Sequence, residues 1–197
     1  MKKPKLIIIE GSQGVGKGTI TNMLREKIPY STLMRLSGIK DNSFPNGYEK
    51  IFKIRKQELE FIKKCSDCET TFILDRSYLT EKIYCNLGYK NYNFKADTDI
   101  LNNCLNSLTD IYDVYIILLT LNDYSLFEKR LKRNKAEYEH SKFSVKNSIK
   151  QQFEYIYEIE KIRNRYPNIK CKYIENHKDP IDTFKNIMEF LELKELI

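Results

Sequence analysis

Tryptophan is absent from the 197 residues, histidine occurs twice, and there are only seven glycines. Each scarcity excludes something. No apolar run approaches the roughly 18 residues that a membrane span requires, and the longest, VYIILLTL at 114–121, has the length of a strand. The run inside MKKPKLIIIEG is too short for a secretory leader and meets glycine and glutamate at once, so a cytoplasmic protein without membrane partners is expected. Five cysteines is an odd number, and free thiols are expected of them. Cys65 and Cys68 form a CxxC, half of a zinc site. No second pair stands at suitable spacing, and His140 and His177 are far away in sequence, so a pair of thiols near a helix end is the expectation. The two charge signs are also unequal, at +7 net. That balance favours anionic partners such as phosphates and nucleotides. The lysines are scattered through the chain instead of forming one block, which does not favour nucleic acid as a partner.

What is present has a clear order. Apolar residues at 41% and charged residues at 31% suit one globular domain over residues 1–197. Short apolar runs at 5–10, 31–36, 70–75, 114–121 and 171–175 read as strands buried on both faces. Between them lie predicted helices at 18–28, 48–64, 78–86, 97–109, 124–134, 144–165 and 181–194, the last opened by Asp179-Pro180 as cap and first-turn proline. In 144–165 the recurrence of Ile149, Phe153, Ile156 and Tyr157 predicts a core-facing stripe. Five alternations of strand and helix imply an α/β fold, a five-stranded parallel sheet flanked by helices. The polar segment 88–98 and the charged segment 132–147 read as mobile loops.

Four of the seven glycines crowd into one place. Gly11-Ser12-Gln13-Gly14-Val15-Gly16-Lys17 fits G-x-x-x-x-G-K, after a strand and before a helix. Glycines let successive backbone N–H groups turn around phosphate oxygens, where a side chain would block approach. The following helix start and Lys17 add positive charge. The loop is therefore expected to bind a nucleoside triphosphate through Gly11, Ser12, Gln13, Gly14, Val15, Gly16, Lys17, Gly18 and Thr19. Gly18 stands at the usual Ser/Thr position and the hydroxyl follows at Thr19, so magnesium is expected to rest more on phosphates, water and Asp75.

Gly16-Lys17-Gly18-Thr19 resembles the loop ending of adenylate kinases, and the wider pattern resembles thymidylate kinases. IEGSQGVGKGT is similar to their E-G-x-D-G-x-G-K-x-T, with Glu10 at the glutamate position and Gln13 where that family usually has Asp. MRLSG resembles R-E-P-G through Arg35 and Gly38 but lacks the Glu-Pro. Arg55 falls at the arginine of their A-D-R helix. LDRSYLTEKIYC resembles D-R-x-x-x-S-x-x-A-Y-Q, with Asp75, Arg76 and Tyr84 matching and Thr80 in place of Ser. SLFEKRLKR is similar to the helix that ends in a basic lid, here 132–147. YIENHKDPIDTF resembles the last strand and the loop that closes over adenine. Deoxynucleoside kinases are a close second: they carry E-G-N-x-G-x-G-K-x-T and an E/D-R-S motif that Asp75-Arg76-Ser77 matches.

The first resemblance implies transfer of the γ-phosphoryl of ATP, with Mg2+, to a nucleoside monophosphate, dTMP before others. Arg35 and Arg76 would hold the acceptor phosphate. Arg55, Thr80, Tyr84 and Phe52 would meet base and sugar, although Phe52 and Tyr84 equally suit plain packing and Arg55 a solvated helix face. Arg130 or Arg133, from the basic cluster with Lys129, Lys132 and Lys135, would close the site. A homodimer through a helical face is implied as well. The second resemblance makes Glu10 the general base for a nucleoside hydroxyl. A nucleotide-binding module without turnover is the remaining alternative.

Overall fold

The computed structural model describes residues 3–36, 47–90, 93–133, 144–176 and 179–196. Gly38, Lys135, His140, His177 and most of the expected lid, 134–143, lie outside them. Five strands are present: β1 (Lys5–Glu10), β2 (Ser31–Met34), β3 (Thr71–Asp75), β4 (Asp113–Thr120) and β5 (Lys170–Glu175). Seven helices accompany them among the described residues: α1 (Lys17–Lys27), α2 (Gly47–Lys64), α3 (Tyr78–Asn86), α4 (Lys95–Ser107), α5 (Tyr124–Arg133), α6 (Val145–Arg165) and α7 (Pro180–Phe190). All strand pairs are parallel, in the order β2-β3-β1-β4-β5.

β1 lies in the middle because it has no polar face to give to solvent. Leu6 and Ile8 point into one core with α2, α3, α4 and α6, while Ile7 and Ile9 point into the other with α1, α5 and α7. Two-residue alternation sends both sets inward, as covered parallel sheets require. At one edge β5 shows Lys170 and Lys172 to solvent, and charges there discourage pairing with another chain. Ser144 and Asp179 cap α6 and α7 by accepting from Asn147 N and Ile181 N, the second beside Pro180 as expected.

The elements match the expected ones within a few residues, with two corrections. Segment 88–98 is not all loop, since α4 begins at Lys95. The stripe on α6 is half right: Ile149 and Ile156 pack against the cores, but Phe153 is 66% and Tyr157 57% exposed. The buried face comprises Ser148, Gln151, Gln152, Tyr155, Glu158, Ile159 and Ile162. Half of that face is polar because it meets loop backbone that needs hydrogen-bond partners. Gln151 Oε1 accepts from Gln13 N at 3.1 Å and Gln152 Oε1 from Leu121 N at 2.8 Å.

Candidate active site

Three strand ends converge on the glycine loop. β1 runs straight into it, β3 ends beside it at Asp75, and β4 ends on its far side. Gly11, Gly14 and Gly16 have φ of 150°, 81° and 98°, so the last two sit in the left-handed region. A Cβ on Gly16 would collide with the Asn176 amide, which donates from Nδ2 to Val15 O at 2.5 Å. Gly16→Ala should therefore cost about 1–3 kcal/mol in urea unfolding, from strain and a displaced brace together. Gly18 needs no such freedom; it is helical, and a Cβ there would meet only Arg35 Nη2, at 3.8 Å.

The loop has the features an anion requires. α1 starts at Gly16 with no side-chain cap and no acidic residue in its first turn, leaving its N–H groups and positive dipole end uncompensated. Ser12 is fully buried and its Oγ has no hydrogen-bond partner among the described residues. Lys17 is buried, and its Nζ donates to Gly11 O at 2.7 Å and Ser12 O at 2.8 Å. Burial, then Arg76, pushes the Lys17 ammonium well below the usual lysine range, against the pull of Asp75 and Glu10. A triphosphate fits this cradle: its oxygens would meet an unpartnered hydroxyl, an uncapped helix and a short-changed cation. Thr19, expected to supply a hydroxyl, is exposed on α1. The buried hydroxyl of that turn is Thr21, which donates to Gly18 O at 3.2 Å.

Glu10 lies at the junction of β1, β3 and α3. Its side chain is fully buried; Oε1 accepts from Ser77 N at 2.7 Å and Ser77 Oγ at 2.6 Å, and Oε2 from Thr80 Oγ1 at 3.1 Å. Burial raises its pKa, opposed by Ser77 and by the positive charges of Arg76 and Lys17. The Thr80 hydroxyl is shared with Tyr155 OH at 2.8 Å.

Arg76 also stands in the left-handed region, at φ 77°, with its N–H on Ile9 O at 3.1 Å. That turn swings the guanidinium over the loop, where Nη2 donates to Gln13 Oε1 at 2.8 Å. Burial opposes its charge, but Tyr84, Tyr155, Glu10 and Asp75 around it outweigh that and hold it above the ordinary arginine range. Arg35, just past β2, donates from Nε to Asp75 Oδ2 at 2.7 Å and from Nη2 to Thr21 Oγ1 at 3.3 Å. Lys17, Asp75, Arg35, Arg76, Glu10, Gln13 and Thr80 thus form one connected group. Asp75 is buried at the carboxyl end of β3, a position fit for one carboxylate of a magnesium shell otherwise completed by phosphates and water. The described residues hold no cluster of three metal-ligating side chains.

Other candidates sit differently. Arg55 is not on a solvated face: it is 1% exposed, donating from Nη1 to Glu58 Oε2 at 3.1 Å and from Nη2 to Leu36 O at 3.0 Å. Glu81 Oε1 lies 3.6 Å from its Nη2, while its buried Nε has no partner among the described residues. Phe52 and Tyr84 are partly buried against the core, Tyr84 with its ring edge-on to Tyr89 at 5.7 Å. Arg130 reaches the outer side of the loop, donating to Val15 O at 2.9 Å and Asn176 O at 3.4 Å, whereas Arg133 is exposed at the end of α5. Three contributors escaped the sequence analysis: Asn176, Gln151 and Tyr155. Asn176 lies in YIENHKDPIDTF, directly after the last strand, but was not singled out there; the other two sit on α6 beside the expected stripe, which ran off the inward face at Phe153 and Tyr157.

Neither a family model nor a curated protein matches the sequence. Solved structures do match. The YorR protein of Bacillus subtilis, in complex with phosphorylated GDP, is 16% identical, with 97% of this chain and 98% of that chain covered at a TM-score of 0.63. A deoxyadenosine kinase from M. mycoides with bound dATP is 19% identical over 95% and 99% of the two chains, TM-score 0.59. Thymidylate kinase from Candida albicans is 18% identical over 98% and 93%, TM-score 0.56. At such identities the likeness is one of architecture, and the chain has the α/β fold of the P-loop kinases.

Proposed function

We propose that this protein is an ATP- and Mg2+-dependent nucleotide kinase that phosphorylates a (deoxy)nucleoside monophosphate, with dTMP placed first. The observation that carries this reading is the pair of guanidiniums, Arg35 and Arg76, at the ends of neighbouring strands beside the glycine loop. Two planar donors can take a phosphate with bidentate bonds. Arg55, which the resemblance sets against the base, is 1% exposed and holds Glu58 and Leu36 O, a place that suits bracing α2 behind the acceptor. Lys17 and the loop amides would hold the donor phosphates, and Asp75 would orient the magnesium ion that neutralises their charge. Arg130, already on the loop, and Arg133 would complete the positive surround. An anionic acceptor needs no base, so catalysis is positioning and charge stabilisation. Ile54, Phe61, Ile100, Phe153 and Tyr157, exposed on α2, α4 and α6, support the homodimer the resemblance implies.

The second reading, a nucleoside kinase with Glu10 as base, draws on the raised pKa of that carboxyl and its place beside Arg76. Against it, both Glu10 oxygens are occupied and the side chain is fully buried, which suits a brace between β1 and α3. Glu10→Gln separates the two when assayed with all nucleosides and nucleoside monophosphates. The monophosphate reading expects a monophosphate to be the better acceptor and a loss below about 10²-fold, since general-base removal typically costs about 10²–10⁴. A preferred free nucleoside with near-complete inactivation would establish the nucleoside kinase. Tight ATP binding with no turnover of any acceptor would establish a non-catalytic module.

The same variant has a stability signature. A folded-state pKa above 4.5 means the native protein binds this proton more tightly than the unfolded chain does. Stability then falls as pH rises from 4.5 through the folded pKa, and levels off above it. Glu58 is also raised, chiefly by burial and in smaller part by the Glu10 charge, so its burial slope is shared by wild type and variant while the Glu10 part is lost in the variant. The difference between them reports Glu10 together with its repulsion of Glu58, both of the same sign: chemical unfolding from pH 4 to 8 should show Glu10→Gln gaining on wild type as pH rises. A constant difference would place the Glu10 pKa at its unfolded value.

A further inference from the structure

Cys65 and Cys68 lie outside the site and belong to none of its chemistry. α2 ends at Lys64, and Cys65 closes it, donating from N to Phe61 O at 3.1 Å and Ile62 O at 3.2 Å. The chain then makes a single tight 3-10 turn, Ser66–Cys68, in which Cys68 N donates to Cys65 O at 3.1 Å. A hydrogen-bonded four-residue turn brings its outer Cα atoms within about 7 Å, and a disulfide spans about 4.4–6.8 Å between Cα atoms. Cys68 is exposed, whereas Cys65 is half-buried with one side against the core. Two sulfurs alone do not complete a tetrahedral zinc site, and the described residues offer no third ligand beside them.

We propose that Cys65 and Cys68 are a reversible dithiol–disulfide site that exchanges with small disulfides such as glutathione disulfide. The exposed Cys68 sulfur, as thiolate, attacks one sulfur of the small disulfide. One small thiol leaves, and a mixed disulfide stays on Cys68. Cys65, deprotonated in turn, attacks the Cys68 sulfur and expels the second small thiol. Two electrons pass from the cysteine pair to the small disulfide, and the two cysteine protons end on the two thiols released. The surroundings favour the closed form. The pair stands at the C-terminal end of a helix with Asp67 between its members, where negative charge on sulfur gains nothing. Dithiols become strong oxidants when their thiolate form is stabilised, and burial pushes the Cys65 thiol the other way. Ring closure spans a turn that is already formed, so it needs little backbone movement.

The test equilibrates the full-length protein, without oxygen, in mixtures of reduced and oxidised glutathione, then quenches with acid and weighs it. Wild type should accumulate a species lighter by two hydrogens, with three of its five thiols still titratable, and dithiothreitol should reverse it. Cys65→Ser and Cys68→Ser should each abolish that species and carry a glutathione adduct on the remaining cysteine of the pair. Peptide mapping should find the bond between residues 65 and 68. Persistent glutathione adducts on wild type, or the lighter species surviving in Cys68→Ser, would overturn the proposal.

Discussion

Lys17→Met is expected to lower phosphoryl transfer by about 10²–10³-fold in a protein that remains folded. The lysine stands where the loop, α1 and β1 meet, and its Nζ is held by two carbonyls of the loop itself, at 2.7 and 2.8 Å. Those carbonyls hold it at the lip of the cradle, ready to exchange them for phosphate oxygens. Negative charge shifts along the phosphate chain during transfer, and Lys17 is the buried lysine that the loop itself holds. A methionine fills similar volume but brings no charge. Folding should change little, because the lost hydrogen bonds are offset by relief of a desolvated ammonium; we expect about 1–2 kcal/mol either way. Steady-state kinetics and urea unfolding on the same preparation check both halves. Wild-type turnover in the variant would remove Lys17 from the reaction, and global unfolding would make it a structural residue.

Arg76→Ala is the second large effect, about 10²–10³-fold in kcat/KM for the acceptor, with ATP affinity nearly unchanged. The separation rests on the acceptor role proposed for Arg76. Its guanidinium lies over the loop on the Gln13 side chain and depresses the Lys17 ammonium, so removing it takes no attraction for the donor away from Lys17 itself. Arg76→Lys should recover only part of the loss, since a point charge cannot form the two parallel bonds of a guanidinium. The backbone supplies a control. Alanine keeps the strain of φ 77°, and Arg76→Gly relieves it. The glycine variant should be as inactive as the alanine variant yet more stable by about 1 kcal/mol. Equal loss of ATP binding in equilibrium titration would show that Arg76 serves the donor instead.

How much of this was legible in the chain depends on the kind of signal. IIIE followed by crowded glycines announces a buried strand and a phosphate loop, since both periodicity and backbone freedom are written locally. Asp75 and Arg76 were readable because they end an apolar run. Arg55 was less so: KIRKQELE reads as a charged helix surface, and only the return of Leu36 and Glu81 from other elements buries it. α6 shows the limit most clearly. Phe153 and Tyr157 look like core by polarity, but Gln151, Gln152 and Tyr155 are inward because the loop and the end of β4 have N–H groups to satisfy. Such a need belongs to another part of the chain, and no window of sequence around residue 152 contains it.

The central place of β1 also governs how the chain reaches its fold. Ile7 pairs with Ile73 on one side and with Tyr115 on the other. The first of the five strands in chain order is therefore among the last to find both neighbours, and large loops must close before its pairing stabilises anything. Until then LIII is an uncovered apolar β segment, the kind of stretch that associates between molecules. Lys2, Lys3 and Lys5 before it and Glu10 after it act as charged gatekeepers during that interval. The carboxylate that braces the finished site thus has an earlier task, in the chain that has not yet folded.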